Sequence, residues 1–348
     1  MLSQEFRTSR GRVLFSANVR DIAKTHGTLA PSNIRRVDVI KTVYEALDPD
    51  VVRFNSTFTG FEQDHEGVTV RFADGSEERA ALLVAADGIG SSIRMQLFGG
   101  PEPRYSGAQI FRTLIPFNHP YIPPGKFSLT FGRGDRFGMI HTSQDVLCWF
   151  AIVMTKDPLA GYGEAERMRP VPKDPPGARK QLLFEHYKEF PEPTQAVLDA
   201  TEDEAIYRAD IRDIVPLKQW SSGRVVLLGD AAHAATPYLG RGAGEAVEDS
   251  LSLASCLASV GDLTAASVTE ALRRYEAERR PPTTRTQNTA WRFGRFAGVH
   301  NIVGHQLREA MMGTVGRRAI TRAIHTEFGE LGKRAPRLPP PATADQPD

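Results

Sequence analysis

The stretch RVVLLGDAAHAATPYLGRGAGEAVED, residues 224–249, constrains the fold more than any other part of the chain. An apolar run, Val225-Val226-Leu227-Leu228, stops at Gly229-Asp230; alanine, glycine and proline dominate until acids return at Glu245, Glu248 and Asp249. A short apolar run bounded by turn residues is expected of a strand buried on both faces. In an open α/β sheet, ligands bind beyond the carboxyl ends of the strands. A lone carboxylate there, Asp230, can accept hydrogen bonds from a sugar-like hydroxyl, and small residues beside it let backbone amides approach a ligand closely. Pro237 and Gly240 turn the chain so that a long helix starts near Gly242-Ala243. Its free amides and positive dipole end would face a group carrying partial negative charge.

A second strand end repeats the pattern. Ala81–Ala86 is a continuous apolar run ending at Asp87-Gly88, and GIGSSIRMQLF leads from it into a helix. Before it, a hairpin is expected over 4–20 and a helix over 34–47, where Val37, Ile40, Val43, Tyr44 and Leu47 form an apolar stripe. Segments 51–54, 58–63 and 68–72 read as a small antiparallel meander. From Tyr105 to Thr155 the texture changes to alternating strands, 108–115, 126–131, 136–142 and 146–154, which suggest one antiparallel sheet with a polar and an apolar face. A Pro-rich loop at 169–176, a helix over 181–190 and a strand over 205–211 follow. The prolines at 281–282 separate the helix that starts near Gly242 from a further helical region reaching about Leu331.

The resulting expectation is an α/β fold: a Rossmann-like domain from 27–100 and 216–285, interrupted by an antiparallel sheet domain from 1–26 and 101–215. C-terminal helices over 286–333 and a disordered tail over 334–348 complete it. The 348 residues suffice for two domains. With 43 basic and 42 acidic residues, the net charge of +1 gives no reason to expect nucleic acid or an anionic membrane as main partner. Basic residues between Arg273 and Arg334 are mixed with acids and read as a solvated helical face. The two cysteines, Cys148 and Cys256, lie far apart in apolar surroundings and suggest a reducing compartment, so a cytoplasmic location is expected. No stretch reaches the roughly 18 apolar residues of a membrane span, and the N-terminal residues do not form a signal peptide. No metal-ligand or Ser-His-Asp constellation stands out.

The string from Gly229 to Asp249 closely resembles the second flavin-binding motif of the FAD-dependent aromatic hydroxylases, the para-hydroxybenzoate hydroxylase-like monooxygenases. The resemblance places Asp230 at the ribityl chain of FAD, and Pro237, Gly240, Gly242 and Ala243 against the isoalloxazine ring. Arg241 stands where the family usually has Gln, and Gly244 where it often has Asn, so a positive charge at Arg241 is expected to alter flavin potential or contacts. ADGIGSSIR is similar to the family's Asp-Gly motif, with Asp87, Ser91 and Arg94 in its polar positions for FAD and transient nicotinamide binding. IRRVDVI resembles the segment whose arginine contacts the flavin, which puts Arg36 there, and Phe58 falls where the backbone approaches adenine. Residues 5 to about 300 follow the family's order, nearest the urate, salicylate and 3-hydroxybenzoate hydroxylase-like branch.

For an intact member the resemblance implies reduction of FAD by NADH or NADPH, addition of O2 as a C4a-hydroperoxide, and hydroxylation of a small aromatic or heteroaromatic substrate. Arg112, Arg136, Trp149 and Phe150 are then candidates for the substrate pocket, the arginines because an anionic aromatic acid needs a guanidinium. His233 is expected to make a structural hydrogen bond. The family's opening strand, G-x-G-x-x-G turn and helix, which hold the FAD pyrophosphate, have no counterpart: GRGDRFG (132–138) has the wrong spacing. Three expectations stay open. The sequence is a fragment or mis-started, another chain or a homodimer supplies the unit, or a shortened relative keeps the fold as a binding protein without flavin.

Overall fold

The computed structural model describes residues 2–100, 102–159 and 174–334. The alternating strands form one seven-stranded sheet from β1 (Ser3–Thr8), β2 (Val13–Asn18), β7 (Arg104–Pro116), β8 (Lys126–Phe131), β9 (Arg136–His141), β10 (Val146–Met154) and β11 (Tyr207–Asp213). Its order is β11-β7-β10-β9-β8-β1-β2. The sheet is not wholly antiparallel: β1 lies parallel to β8, with Ser3 opposite Lys126 and Thr8 opposite Phe131.

Because side chains alternate across a strand, the sheet has two distinct faces, and both are largely apolar. On the back, Phe111, Phe137, Met139, Leu147, Trp149 and Ala151 pack with residues of α4 (Ala178–Tyr187) and α5 (Thr194–Asp199). On the front, Ala108, Ile152 and Ile211 pack with Tyr238, and Leu129 and Phe131 pack near Phe150 and Phe293.

The two apolar strand ends come together in a smaller sheet. There β6 (Leu83–Ala85) runs parallel to β13 (Val225–Leu227), and β12 (Ser221–Ser222) closes the far side. Pairing of Val225 with Leu83 and Leu227 with Ala85 brings Gly229-Asp230 and Asp87-Gly88 to the same end. The meander is β3 (Phe58–Gln63), β4 (Val68–Phe72) and β5 (Glu77–Ala80); Pro49–Val51 is a 3-10 turn instead of a strand. Pro49 at its first position fixes φ for that turn. β5 carries the sequence EERA, exposed throughout, so no hydrophobic period announced it.

Helices α1 (Val19–Thr25), α2 (Arg36–Glu45), α3 (Ser92–Phe98), α6 (Asp230–His233), α7 (Gly242–Ala258) and α8 (Ala265–Ala297) surround these sheets, followed by α9 (Ile302–Met311) and α10 (Arg317–Arg334). Two expectations fail at the element level. The apolar stripe of α2, which would ordinarily face a core, has no buried residue: Val37, Ile40, Val43 and Tyr44 are all exposed. Val84 of β6 is exposed too, so that strand is not covered on both faces.

The helix break at Pro281-Pro282 is also absent. α8 runs through both prolines, and tertiary anchors on either side hold it. Before them, the buried Arg279 bonds three carboxylates of α7; after them, Gln287 Nε2 donates to the carbonyls of Ile214 and Ala234. α10 includes Arg334, placed in the expected tail; the rest of that tail and residues 169–173 of the expected 169–176 loop lie outside the described residues.

Candidate functional site

Parallel pairing of β6 and β13 opens one crevice beyond both strand ends, and Asp230 stands in it. Its carboxylate is exposed and accepts no hydrogen bond among the described residues. Loss of hydration raises its pKa, against the pull of His233 and Arg36. Arg36, at the first position of α2, is exposed and has no ion pair among the described residues. Gly229 must lack a side chain, since it has φ 60° and a Cβ there would lie 3.2 Å from that of Ala246.

Pro237 opens a 3-10 turn over 237–239, and Gly240 ends it in the left-handed region at φ 66°. α7 then starts with Gly242, Ala243 and Gly244 all exposed and with no side chain capping its amides. A Cβ at Gly88, Gly240, Gly242 or Gly244 would meet nothing within 4 Å. These backbone positions line open space.

Beneath this surface lies a charge network that explains why acids return at Glu245, Glu248 and Asp249. Asp249, fully buried, accepts from His233 Nε2 at 2.5 Å, from the Gly229 amide at 3.1 Å and from Arg279 Nε at 2.7 Å. Arg279 also bonds Glu245 and Glu248 at 2.6 Å each. His233 is therefore a structural link, with its ring against Trp220. Burial pushes the Asp249 carboxyl up, but His233 and Arg279 together hold it below its ordinary value. Arg241 does not face the crevice: its guanidinium is spent on Glu245, Glu248 and Glu327. The positive charge expected to alter flavin potential or contacts is thus one balanced by three carboxylates.

Arg94 is corrected in a similar way. It is fully buried, and its guanidinium donates to the carbonyls of Ala231 at 2.9 Å and Ile89 at 2.6 Å. It braces the two strand-end loops against each other and so positions Asp87 and Asp230. Ser91 caps α3 through the Arg94 amide. Asp87 is exposed in the crevice, with the amide of Ile93 at 3.4 Å. Phe58 is half-buried at the start of β3 and packs beside Phe61.

The front face of the large sheet meets the glycine-rich turn at Tyr238 and is the candidate for the other wall. Arg112 and Phe150 lie opposite each other on β7 and β10, and Phe150 lies opposite Gly138 on β9. The Phe150 ring covers Gly138 so closely that a Cβ there would lie 2.1 Å from it. Arg112 is exposed, with its guanidinium 5.1 Å from the Tyr207 ring centre. Trp149 is on the opposite face: it is fully buried and its indole donates to Thr201 Oγ1 at 3.0 Å. Consecutive strand residues cannot share a face, so Trp149 leaves the set of candidates for the front wall.

Arg136 is 1% exposed, and its three guanidinium nitrogens have no hydrogen-bond partner among the described residues. It lies 4.4 Å from the centre of the Tyr238 ring. Tyr238 was missed by sequence reasoning, although it sits between Pro237 and Leu239 in the motif. Its ring reaches from the glycine-rich turn to the sheet, across Gly294 of α8, and so joins the two walls.

A family model described as FAD binding domain matches residues 37–290. Aurachin C monooxygenase/isomerase of Stigmatella aurantiaca is 34% identical over 279 residues, covering 80% of this chain and 68% of that protein. The chain belongs to the FAD-dependent aromatic hydroxylase family, near its urate hydroxylase branch. Within that family, the FAD-dependent urate hydroxylase of Klebsiella pneumoniae subsp. pneumoniae is 30% identical, covering 80% of this chain and 67% of that one. Zeaxanthin epoxidase of Arabidopsis thaliana is 33% identical, but the chain spans only 38% of its length. Klebsiella pneumoniae HpxO complexed with FAD and uric acid shares the fold with a TM-score of 0.81 at 24% identity, over 97% of this chain and 81% of that one.

FAD is the cofactor of this family of flavin-dependent monooxygenases, with NAD(P)H as reductant. The crevice fits the ring and ribityl part of that group. It offers an unpaired carboxylate at Asp230 and open backbone at Gly240, Gly242 and Gly244, where side chains would narrow the space.

Proposed function

We propose that the chain is the flavin- and substrate-binding body of an NAD(P)H- and O2-dependent monooxygenase acting on a small aromatic or heteroaromatic substrate. The observation that carries this reading is the unpaired Asp230 beside the uncapped, glycine-lined start of α7. Bound there, FAD would supply hydride acceptance and activation of oxygen. Asp230 would accept the ribityl hydroxyls, assisted by Arg36. The free amides of Gly242, Ala243 and Gly244 would stabilise negative charge on the ring. Asp87 would meet the cofactor on the far side of the crevice, and the backbone at Phe58 its adenine end, while Arg94 keeps both loops in place.

On the sheet side, Phe150, packed on Gly138, and Tyr238 would present aromatic surface to the substrate and exclude water. Arg112 would bind an anionic substituent, and Arg136 would hold Tyr238 from beneath. The free edge of β6 and the exposed stripe of α2 would accept the phosphate-binding unit, from a longer chain, a partner or a second copy. Two free cysteines suit a reducing, cytoplasmic setting. The exposed stripe also favours a second reading, a binding protein that pairs through this face without flavin.

The test is aromatic-dependent oxidation of NAD(P)H by the purified chain with FAD, with one atom of labelled O2 found in the product. A chain that takes up no FAD, alone or extended by a dinucleotide-binding unit, supports the second reading.

A further inference from the structure

The C-terminal helices carry a surface that the flavin site does not use. α9, a π-helical turn at Met312–Gly316 and α10 follow one another without interruption from Ile302. Steps of three or four residues keep side chains on one side of such a run. One row points inward: Arg308, Met312 and Phe328 are buried, with Ile320 and Ile324 half-buried between them. Arg308 is pinned by bonds to the carbonyls of Ala297 at 2.6 Å and Gly132 at 2.5 Å. The outward side continues differently. Val303, Leu307, Met311 and Val315 form an aliphatic row, 76%, 60%, 48% and 74% exposed. Arg318 and Arg322 extend it, and with Arg317 and His325 they line one open groove.

Among the described residues, charge along this side is uncompensated. Arg317, Arg318 and Arg322 have no ion pair among the described residues. Between residues 302 and 329 the carboxylates are Glu309 and Glu327. Glu309 is held by Arg12 and His305, and Glu327 by Arg241. The net charge of +1 hides this patch, because charges further apart than about 10 Å are screened and a surface senses the local face.

We infer that this face docks on a lipid bilayer carrying acidic headgroups. Aliphatic side chains beside unpaired guanidinium groups match acyl chains beneath anionic phosphates. Nucleic acid would use the arginines but leave the aliphatic row in water. A second copy could cover the aliphatic row, but among the described residues this face offers no unpaired carboxylate to meet the arginines.

The test is sedimentation of the full chain with vesicles of pure phosphatidylcholine and of phosphatidylcholine containing phosphatidylglycerol. Binding is expected to the acidic vesicles alone and to weaken with salt. Arg317→Glu/Arg318→Glu/Arg322→Glu is expected to reduce it more than tenfold, since each cation changes partition roughly fivefold. Leu307→Ser/Met311→Ser, which keeps every cation, is expected to reduce it as well. Absence of wild-type binding, equal binding to neutral vesicles, or full binding by either variant would overturn the inference. So would tighter binding to duplex DNA, or a dimer that the same substitutions dissolve.

Discussion

A methyl group at Gly138 would lie 2.1 Å from the Phe150 ring, with two further ring atoms within 2.7 Å. Gly138→Ala therefore forces the ring off the sheet, and unfolding measurements should show a loss of about 1–3 kcal/mol, the usual range for overpacking. The pKa values of Asp249 and Asp230 are shifted in opposite directions. Asp249 is held below its ordinary pKa by His233 and Arg279, so its contribution is fully present above about pH 4. That stability is lost as pH falls through the lowered folded value. Asp249→Asn should lower the melting temperature at pH 7 and flatten its decline in acid; an unchanged acid limb would contradict the network. Asp230 has a raised pKa, so its charged form disfavours the folded state at neutral pH. Asp230→Asn is expected to leave the melting temperature unchanged or higher at pH 7 while weakening flavin binding. A lower melting temperature would mark Asp230 as a structural residue instead.

Among the elements, α2 and β13 make the sharpest contrast. Both carry apolar patterns, but Val225, Val226 and Leu227 of β13 are fully buried, whereas α2 buries nothing. Ile40→Glu should shift stability by less than about 0.5 kcal/mol, as exposed substitutions do. Val226→Ala should cost about 1–3 kcal/mol, as buried truncations do; a large loss at Ile40 would mean that α2 packs on the body after all. The same contrast explains what could be read from residues alone. Period and turn chemistry located β3, β4, β8, β10 and the starts of α7 and β9, because each is encoded by neighbours in sequence. The parallel pairing of β1 with β8, the passage of α8 through Pro281-Pro282 and the roles of Arg94 and Arg241 were not readable. Beside local bonds from Arg94 to Ile89 and from Arg241 to Glu245, they depend on partners 34 or more residues away: Ala231 for Arg94, Glu327 for Arg241, and Glu245 for Arg279. Trp149 could have been assigned to the back of the sheet from alternation alone, since Phe150 cannot share its face.

At the scale of the molecule, the strand ends and the front of the large sheet are the two walls of the proposed site. The strand ends supply Asp230, Asp87 and the glycine-lined helix start; the sheet supplies Arg112, Phe150 and, through Tyr238, a bridge between the halves. Arg94 and the Arg279 cluster keep the first wall rigid without reaching into the crevice, a division of labour that preorganised sites require. The strand-end crevice is proposed to take the ring and ribityl part of FAD. The most direct measurement is a titration of the purified chain with FAD, and in parallel with riboflavin, followed by quenching of flavin fluorescence. Saturable quenching by both ligands is expected, weakened at least tenfold by Asp230→Ala, the loss of a hydrogen bond from a charged acceptor. Binding that Asp230→Ala leaves unchanged, or no quenching by either ligand, would contradict the account.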